Sequence, residues 1–386
     1  MYFKRVFIIV LDSLGVGEAS DAHLFNDVGS NTLKRILDNT NFSFPNLEKM
    51  GFISLVTNET VKPISYYTKA LPHSNGKDTL TGHLEMMGID TKIPFKTFTK
   101  NGFPKELINE LEKRTNRHII GNCSESGTAI IERLGEEHMK TGDLIVYTSA
   151  DSVLQIAAHE DIIPVKELYN ICQIARELTL QDKWKVGRVI ARPFIGTPSN
   201  FIRTANRHDY ALNPASKTVL DYLKDADYDV ISIGKIADIF NNCGITESKK
   251  TKDNTDGIKK IIEQTKRDFT GLCFANLNDF DSKYGHRRNI EGYGLAIKEF
   301  DNSLEEIINN VGEDLLIITA DHGNDPGYKG TDHTRENTPV LIYSKQFKEP
   351  KRLENLKTFA DIGASVADNF NVEKPKIGTS FLRKLK

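Results

Sequence analysis

An apolar run, Ile317-Ile318-Thr319-Ala320, leads directly into Asp321-His322-Gly323, and a second Asp-His pair, Asp332-His333, follows eleven residues after the first. Carboxylate and imidazole together suit Mn²⁺, Zn²⁺ or iron better than Ca²⁺, which takes shells of oxygen. Two such pairs this close imply two ions and a metal-dependent enzyme. A further grouping, Asn278-Asp279-Phe280-Asp281-Ser282-Lys283-Tyr284-Gly285-His286, follows the apolar run at 272–275. That strand would carry Asp279 and Asp281 to the same sheet end, and the glycine-bearing turn would return His286 to them. Any one of these histidines alone is more commonly a satisfied hydrogen-bonding residue. The reading rests on the set.

Asp12 ends another apolar run, Val6–Leu11, and is followed by Ser13-Leu14-Gly15-Val16-Gly17. Two glycines after a strand suggest a dinucleotide-binding turn, but the third glycine is missing, and an acidic residue there would repel a pyrophosphate. Ligands of open α/β sheets gather at the carboxyl ends of strands, where Asp12 and Asp321 both fall. Asp12 alone reads equally well as a helix N-cap; beside Asp321-His322 a metal ligand is the stronger reading. Two divalent ions about 4 Å apart repel by roughly 16 kcal/mol at an effective dielectric of 20. Asp12, Asp281 and Asp321 would lower their joint charge from +4 to +1, and a phosphate dianion would complete the neutralisation. Such a pair of ions is the usual apparatus of in-line phosphoryl transfer.

Transfer through the enzyme needs a nucleophile. Gly76-Lys77-Asp78-Thr79-Leu80-Thr81-Gly82-His83-Leu84-Glu85 places two hydroxyls where a helix could begin, and helix N-termini favour phosphate. Metal coordination is one way to activate a threonine hydroxyl. Asp78 or Thr79 also reads as an ordinary N-cap, and on this segment alone that is the stronger reading. Thr79 and Thr81 both stay open as nucleophiles.

The elements that must position these groups alternate between strand and helix, the pattern of an α/β protein. Buried strands are expected at Val6–Leu11, Val230–Ile233, Leu272–Ala275, Leu315–Thr319 and Val340–Tyr343, with amphipathic helices at Ala215–Leu223, Asp256–Lys266, Gly294–Asn309 and Thr358–Asn369. Together they imply a mostly parallel sheet flanked by helices. The middle of the chain has its own helices (Pro104–Arg114, Ser126–Lys140, Val165–Leu178) and strands (Leu144–Thr148, Val186–Ala191). Because the Asp-His groupings lie at both ends, residues 1–97 and 215–386 are expected to form one discontinuous core, with 98–214 an inserted smaller α/β domain. Lys plus Arg number 51 against 53 acidic residues, a balance that argues against nucleic acid or anionic lipid as partners. No segment approaches the roughly 20 apolar residues that span a bilayer. Four scattered cysteines fit reduced core thiols. A cytoplasmic protein is expected.

The motifs LDSLGVGEASDA (11–22), GKDTLTGH (76–83), YTSADSVLQIAAHE (147–160), GRVIARPF (187–194), DFDSKYGHRR (279–288), TADHGNDP (319–326) and GTDHTRE (330–336) resemble bacterial phosphopentomutase, of the alkaline phosphatase superfamily. Leu84 and Asn278 depart from that pattern. The resemblance implies an alkaline-phosphatase-like core whose inserted domain is a cap, and two Mn²⁺ ions held by Asp12, Asp281, His286, Asp321, His322 and His333. Thr79 would carry the phosphoryl group. Ser149, Asp151, Arg188, Ile190, Arg203 and Lys235 would contact the substrate, with Arg and Lys suited to the phosphate that does not react. Arg192, Arg207 and His208 are equally placed by composition. The implied reaction interconverts ribose 1-phosphate and ribose 5-phosphate, and the 2-deoxyribose pair, through a 1,5-bisphosphate. Glucose 1,6-bisphosphate or a pentose bisphosphate would act as activator. A phosphatase or phosphodiesterase of the same superfamily, a cofactor-independent phosphoglycerate mutase, and a catalytically silent sugar-phosphate-binding protein are the alternatives.

Overall fold

The computed structural model describes residues 2–57, 62–149 and 152–385. The chain divides into two compact units, Met1–Lys92 with Asn213–Lys386, and Ile93–Leu212. The breaks lie a few residues before the 97/98 and 214/215 expected from the sequence.

In the first unit, seven strands form one sheet: β1 (Arg5–Leu11), β2 (Tyr66–Ala70), β9 (Asp229–Ile233), β10 (Glu247–Lys249), β11 (Gly271–Leu277), β12 (Leu315–Thr319) and β13 (Thr338–Tyr343), ordered β10-β9-β11-β1-β12-β13-β2. Pairing is parallel from β10 through β12 and antiparallel from β12 to β13 and from β13 to β2. The sheet is therefore mixed. No helix separates β12 from β13, and a parallel return needs a crossover that this loop does not supply. Residues 6–11 of β1 are all buried, because helices cover both faces. Around the strands lie α1 (Thr32–Asn39), α2 (Pro45–Lys49), α3 (Thr79–Met86), α7 (Val219–Asp225), α8 (Ile236–Ile239), α9 (Asn254–Lys266), α10 (Ile290–Val311) and α11 (Ala360–Phe370).

The longest, α10, shows why the sequence folds as it does. Asn289 caps it by accepting from Gly292 N at 2.8 Å. Tyr293, Ile297, Phe300, Leu304, Ile308 and Val311 recur every three or four residues and join Phe7, Ile9 and Leu11 of β1 in one core. No helix among the described residues is long and apolar enough to cross a membrane.

The second unit holds β3 (Ile119–Ser124), β4 (Leu144–Thr148), β5 (Val153–His159), β6 (Arg188–Thr197), β7 (Asn200–Arg203) and β8 (His208–Ala211), with α4 (Lys105–Thr115), α5 (Gly127–Thr141) and α6 (Val165–Leu178). Its sheet runs β3-β4-β5-β6-β7, and β8 pairs with β6. Arg176 of α6 is buried here, its guanidinium donating to the carbonyls of Thr179, Val186, Gly187 and Tyr210, and burial pushes its pKa down to about 10. Four carbonyls around the start of β6 thus depend on one side chain. Arg176→Met is expected to destabilise the protein by about 3 kcal/mol, because the buried acceptors lose their donor. A guanidinium unfolding curve with an unchanged midpoint would refute this.

Candidate metal centre

Adjacent parallel strands deliver two carboxylates to one end of the main sheet: Asp12 is the first residue after β1, and Asp321 lies just beyond β12. Ser13 takes a left-handed backbone (φ 69°) and donates its N–H to Asp321 Oδ1 at 3.0 Å. Its hydroxyl is held 3.0 Å from Tyr293 Oη. Such backbone strain in a non-glycine residue persists only where the surroundings enforce it, commonly at functional sites. His322 Nε2 lies 3.3 Å from Asp321 Oδ2, 3.5 Å from Asp12 Oδ1 and 3.1 Å from Thr79 Oγ1.

The second cluster forms where the chain leaves β11. A π-helical turn over Phe280–Gly285 carries Asp281 inward. Its Oδ2 lies 3.1 Å from His286 Nε2 and its Oδ1 3.3 Å from His333 Nε2, with the two imidazole nitrogens 3.0 Å apart. His286 Nδ1 faces Thr331 O at 2.7 Å, and His322 Nδ1 faces Gly323 O at 3.1 Å. A carbonyl only accepts, so both rings carry a proton on Nδ1 and turn Nε2 inward. Metal-ligating histidines are oriented in this way.

The donors therefore fall into two triplets, Asp12/Asp321/His322 and Asp281/His286/His333. His322 also lies close enough to Asp281 and His333 to join them. One ring nitrogen serves one ion, however, and His286 completes the second triplet at contact distance. Asp12 Oδ1 and Asp321 Oδ2 are buried and accept no hydrogen bond among the described residues. Burial, and then the Asp321 carboxylate, push Asp12 above its ordinary pKa. Burial also opposes ionisation of Asp281 and Asp321. His333 and His286 outweigh it at Asp281, and His322 and His83 at Asp321, so both fall below the usual carboxylate range. Buried carboxylates clustered this closely are costly unless cations neutralise them. Three carboxylates and three imidazoles suit two divalent ions that take mixed oxygen and nitrogen ligands.

The family model of the metalloenzyme superfamily matches residues 4–374. The chain belongs to this superfamily. Its fold is shared with a Pyrococcus horikoshii protein at 14% identity and TM-score 0.50, covering 98% of this chain and 100% of that one. Leishmania mexicana phosphoglycerate mutase aligns at 11% identity over 98% of this chain and 97% of its own, with TM-score 0.49. An alkaline phosphatase superfamily protein from Vibrio parahaemolyticus aligns at 14% identity over 97% and 68%, with TM-score 0.43.

The metalloenzyme's centre is held by residues the sequence reading did not single out. His83, fully buried on α3, places Nδ1 2.8 Å from Thr79 O and 3.2 Å from Asp321 Oδ2. Its position four residues after Thr79, on the same helical face, was the available signal. Asn276 Nδ2 donates to Asp12 Oδ2 at 3.1 Å, and Asn324 Nδ2 to Asp281 Oδ1 at 2.8 Å. Buried Glu336 accepts from Gly17 N, Thr32 N, Thr32 Oγ1 and Thr334 Oγ1, tying the β12–β13 loop to the one after β1. Arg335 pairs with Asp21 and donates to the carbonyls of Pro72, Ser74 and Gly76, fixing the segment that feeds α3.

Asp279 and Asp332 do not join the donors. Asp279 accepts from Asn254 N and Lys283 Nζ, while Asp332 accepts from His333 N and faces Lys77 at 3.5 Å. Of the residues expected to contact substrate, Lys235 lies 3.2 Å from Asp12 Oδ2. Ser149, Arg188, Ile190 and Arg203 belong to the second unit. Arg188 faces Asp209 at 3.6 Å, Ile190 is buried and Arg203 is exposed. Asp151 lies outside the described residues. Arg207 is tied to Asp209 by two hydrogen bonds, and His208 packs its ring against Tyr169 and Tyr210.

Proposed function

We propose that this metalloenzyme is a phosphopentomutase, interconverting ribose 1-phosphate and ribose 5-phosphate and the corresponding 2-deoxyribose phosphates. The observation that carries the reading is the Thr79 hydroxyl, 3.1 Å from His322 Nε2 on the first turn of α3. Thr81 is a poorer candidate, because its hydroxyl donates to Asp78 Oδ2 at 2.6 Å. Asp78 caps α3 through Thr81 N as well, so the capping arrangement and the nucleophile coexist in one segment. A helix N-terminus favours the negative phosphoryl group at that point.

Asp12, Asp321 and His322 would hold one Mn²⁺ and Asp281, His286 and His333 the other. When bound, these ions would neutralise charge on the phosphoryl oxygens and favour the ionised form of the Thr79 hydroxyl. Phosphorylated Thr79 gives its phosphoryl group to the free sugar hydroxyl: the Oγ1–P bond breaks, a sugar O–P bond forms, and the proton lost by the sugar hydroxyl restores the hydroxyl on Thr79. The resulting 1,5-bisphosphate returns its other phosphoryl group to Oγ1 and departs as the isomer. Glucose 1,6-bisphosphate or a pentose bisphosphate primes the resting threonine. Lys235, Ser149, Asp151, Arg188, Ile190 and Arg203 are assigned to substrate contact, and the setting is the cytoplasm.

The test is incubation with ribose 1-phosphate and a priming bisphosphate, measuring ribose 5-phosphate against free phosphate. Release of phosphate without isomerisation would make the protein a phosphatase. Gly82 offers a second check, since a Cβ there would sit 2.1 Å from Asp321 O. Alanine ordinarily favours a helix by about 1 kcal/mol over glycine. Here it must push α3, and Thr79 with it, away from the donors. Gly82→Ala is expected to lower kcat on the order of 100-fold; wild-type turnover in steady-state kinetics would show that the close approach does not matter.

A further inference from the structure

Tyr293 is fully buried near the start of α10, among side chains of the main core. A phenylalanine would fill the same space, and a buried phenol is costly unless its hydroxyl finds partners. Here it finds two. Tyr293 Oη lies 3.2 Å from Asp12 O and 3.0 Å from Ser13 Oγ. The carbonyl only accepts, so the single proton of the phenol goes to Asp12 O, and the Ser13 hydroxyl donates in the second contact.

Both contacts fall on the two residues where the chain leaves β1. Ser13 holds its left-handed backbone there, φ 69°, which a serine keeps only under constraint. Its N–H donates to Asp321 Oδ1 at 3.0 Å and its carbonyl accepts from Asn324 N at 3.0 Å. The phenol fixes what those bonds leave free, the Ser13 side chain and the Asp12 carbonyl. A rotation at either residue would swing the Ser13 N–H off Asp321 and turn the Asp12 carboxylate, whose Oδ1 lies 3.5 Å from His322 Nε2.

The ring of Tyr293 faces the other cluster. Its centroid lies 5.7 Å from that of Phe280 and 6.5 Å from that of Tyr284. Those two residues belong to the π-helical turn that carries Asp281 inward. One side chain thus backs both triplets by different means, the first through an oxygen and the second through apolar packing.

We propose that Tyr293 is a positioning residue of the metal centre: its hydroxyl, with Ser13, orients the Asp12/Asp321/His322 triplet, and its ring supports the turn that bears Asp281. The role rests on reading the two triplets as ion sites. Hydrogen-bond partners behind metal ligands set ligand orientation, and their loss typically lowers metal affinity 10–100-fold. Removing only the oxygen should therefore weaken one ion and spare the other.

The experiment titrates Mn²⁺ into EDTA-treated, full-length chain and reads the free ion by its electron paramagnetic resonance signal. Wild type should take up two ions. Tyr293→Phe should hold one with the wild-type Kd and the other with a Kd raised about tenfold or more. Tyr293→Leu, which loses the ring as well, should weaken both. With the second triplet disabled by Asp281→Asn, adding Tyr293→Phe should still weaken the remaining ion about tenfold. No loss there would place the effect of the hydroxyl at the other triplet and overturn the assignment. Should Tyr293→Leu fail to fold, the split between the two ions in Tyr293→Phe decides alone. A tyrosine that serves only the core would lower the melting temperature of the metal-free chain and leave both Kd values unchanged, or shift them equally; either result overturns the role while the ion sites stand. Wild type that binds no Mn²⁺ would instead remove the ion sites, and this role with them.

Discussion

Thr79→Ala should eliminate isomerisation, lowering kcat by on the order of 10⁴-fold or more, the scale on which enzymes lose rate when a nucleophile is removed. The hydroxyl lies 3.1 Å from His322 Nε2. The six proposed ligands do not depend on it, so the variant should still bind two Mn²⁺ per chain. Thr79→Ser keeps an oxygen in place and should recover part of the rate. Intact-protein mass spectrometry after exposure to a sugar bisphosphate should find one phosphoryl group on the wild type and none on Thr79→Ala. A phosphorylated alanine variant would move the reaction to another side chain, Thr81 first among them. A variant that loses both rate and metal would mean that Thr79 supports the ligands and carries no group.

Asp12, Asp321 and His322 were legible because each closely follows a run of buried strand residues, and strand ends in an open sheet converge by topology. Asp12 and Asp321 meet because β1 and β12 pair in parallel, register Val10↔Thr319. Asp279 was grouped with Asp281 on the assumption that both continue from a strand. The chain instead coils at that point, and in a helical turn residues two apart face nearly opposite sides, so only Asp281 reaches the centre. Asn276 and Asn324 were invisible for a related reason. Each is a single polar residue whose contact depends on tertiary packing that no local spacing encodes. β2 was missed because Tyr66–Ala70 includes Lys69, whose ammonium reads as solvent-exposed. In the fold it turns inward to donate to Val16 O at 2.8 Å, with burial lowering its pKa. The antiparallel edge formed by β13 and β2 followed the same pattern: the apolar run at 340–343 marks a strand, but its direction is set by the loop before it.

Chelation should convert the centre from a stabilising feature into a pH-dependent weakness. In the metal-free chain, protons on imidazole are what offset the clustered carboxylates. Burial opposes the charged form of His322, but Asp321, Asp281 and Asp12 outweigh it, and the pKa rises above 6.5. At His333, burial and His322 oppose the charge, and Asp281 again raises the value. Groups whose folded pKa is raised stabilise fully below the unfolded value and lose that contribution as pH climbs through the folded one. Asp281 and Asp321, both depressed, lose theirs only in strong acid, and Asp12, raised, already weighs against the fold once ionised. The melting temperature of EDTA-treated protein should therefore fall as pH rises from about 6 to 8.5. With Mn²⁺ present it should not, because metal binding displaces those protons and strengthens as they leave. At a thousandfold excess over Kd each ion contributes about 4 kcal/mol, so the gap between the two melting curves should widen steadily toward alkaline pH. Differential scanning calorimetry across that range decides the matter. Parallel curves, or a metal-free chain that grows more stable with rising pH, would mean that the carboxylates and imidazoles at the strand ends neutralise one another without a cation.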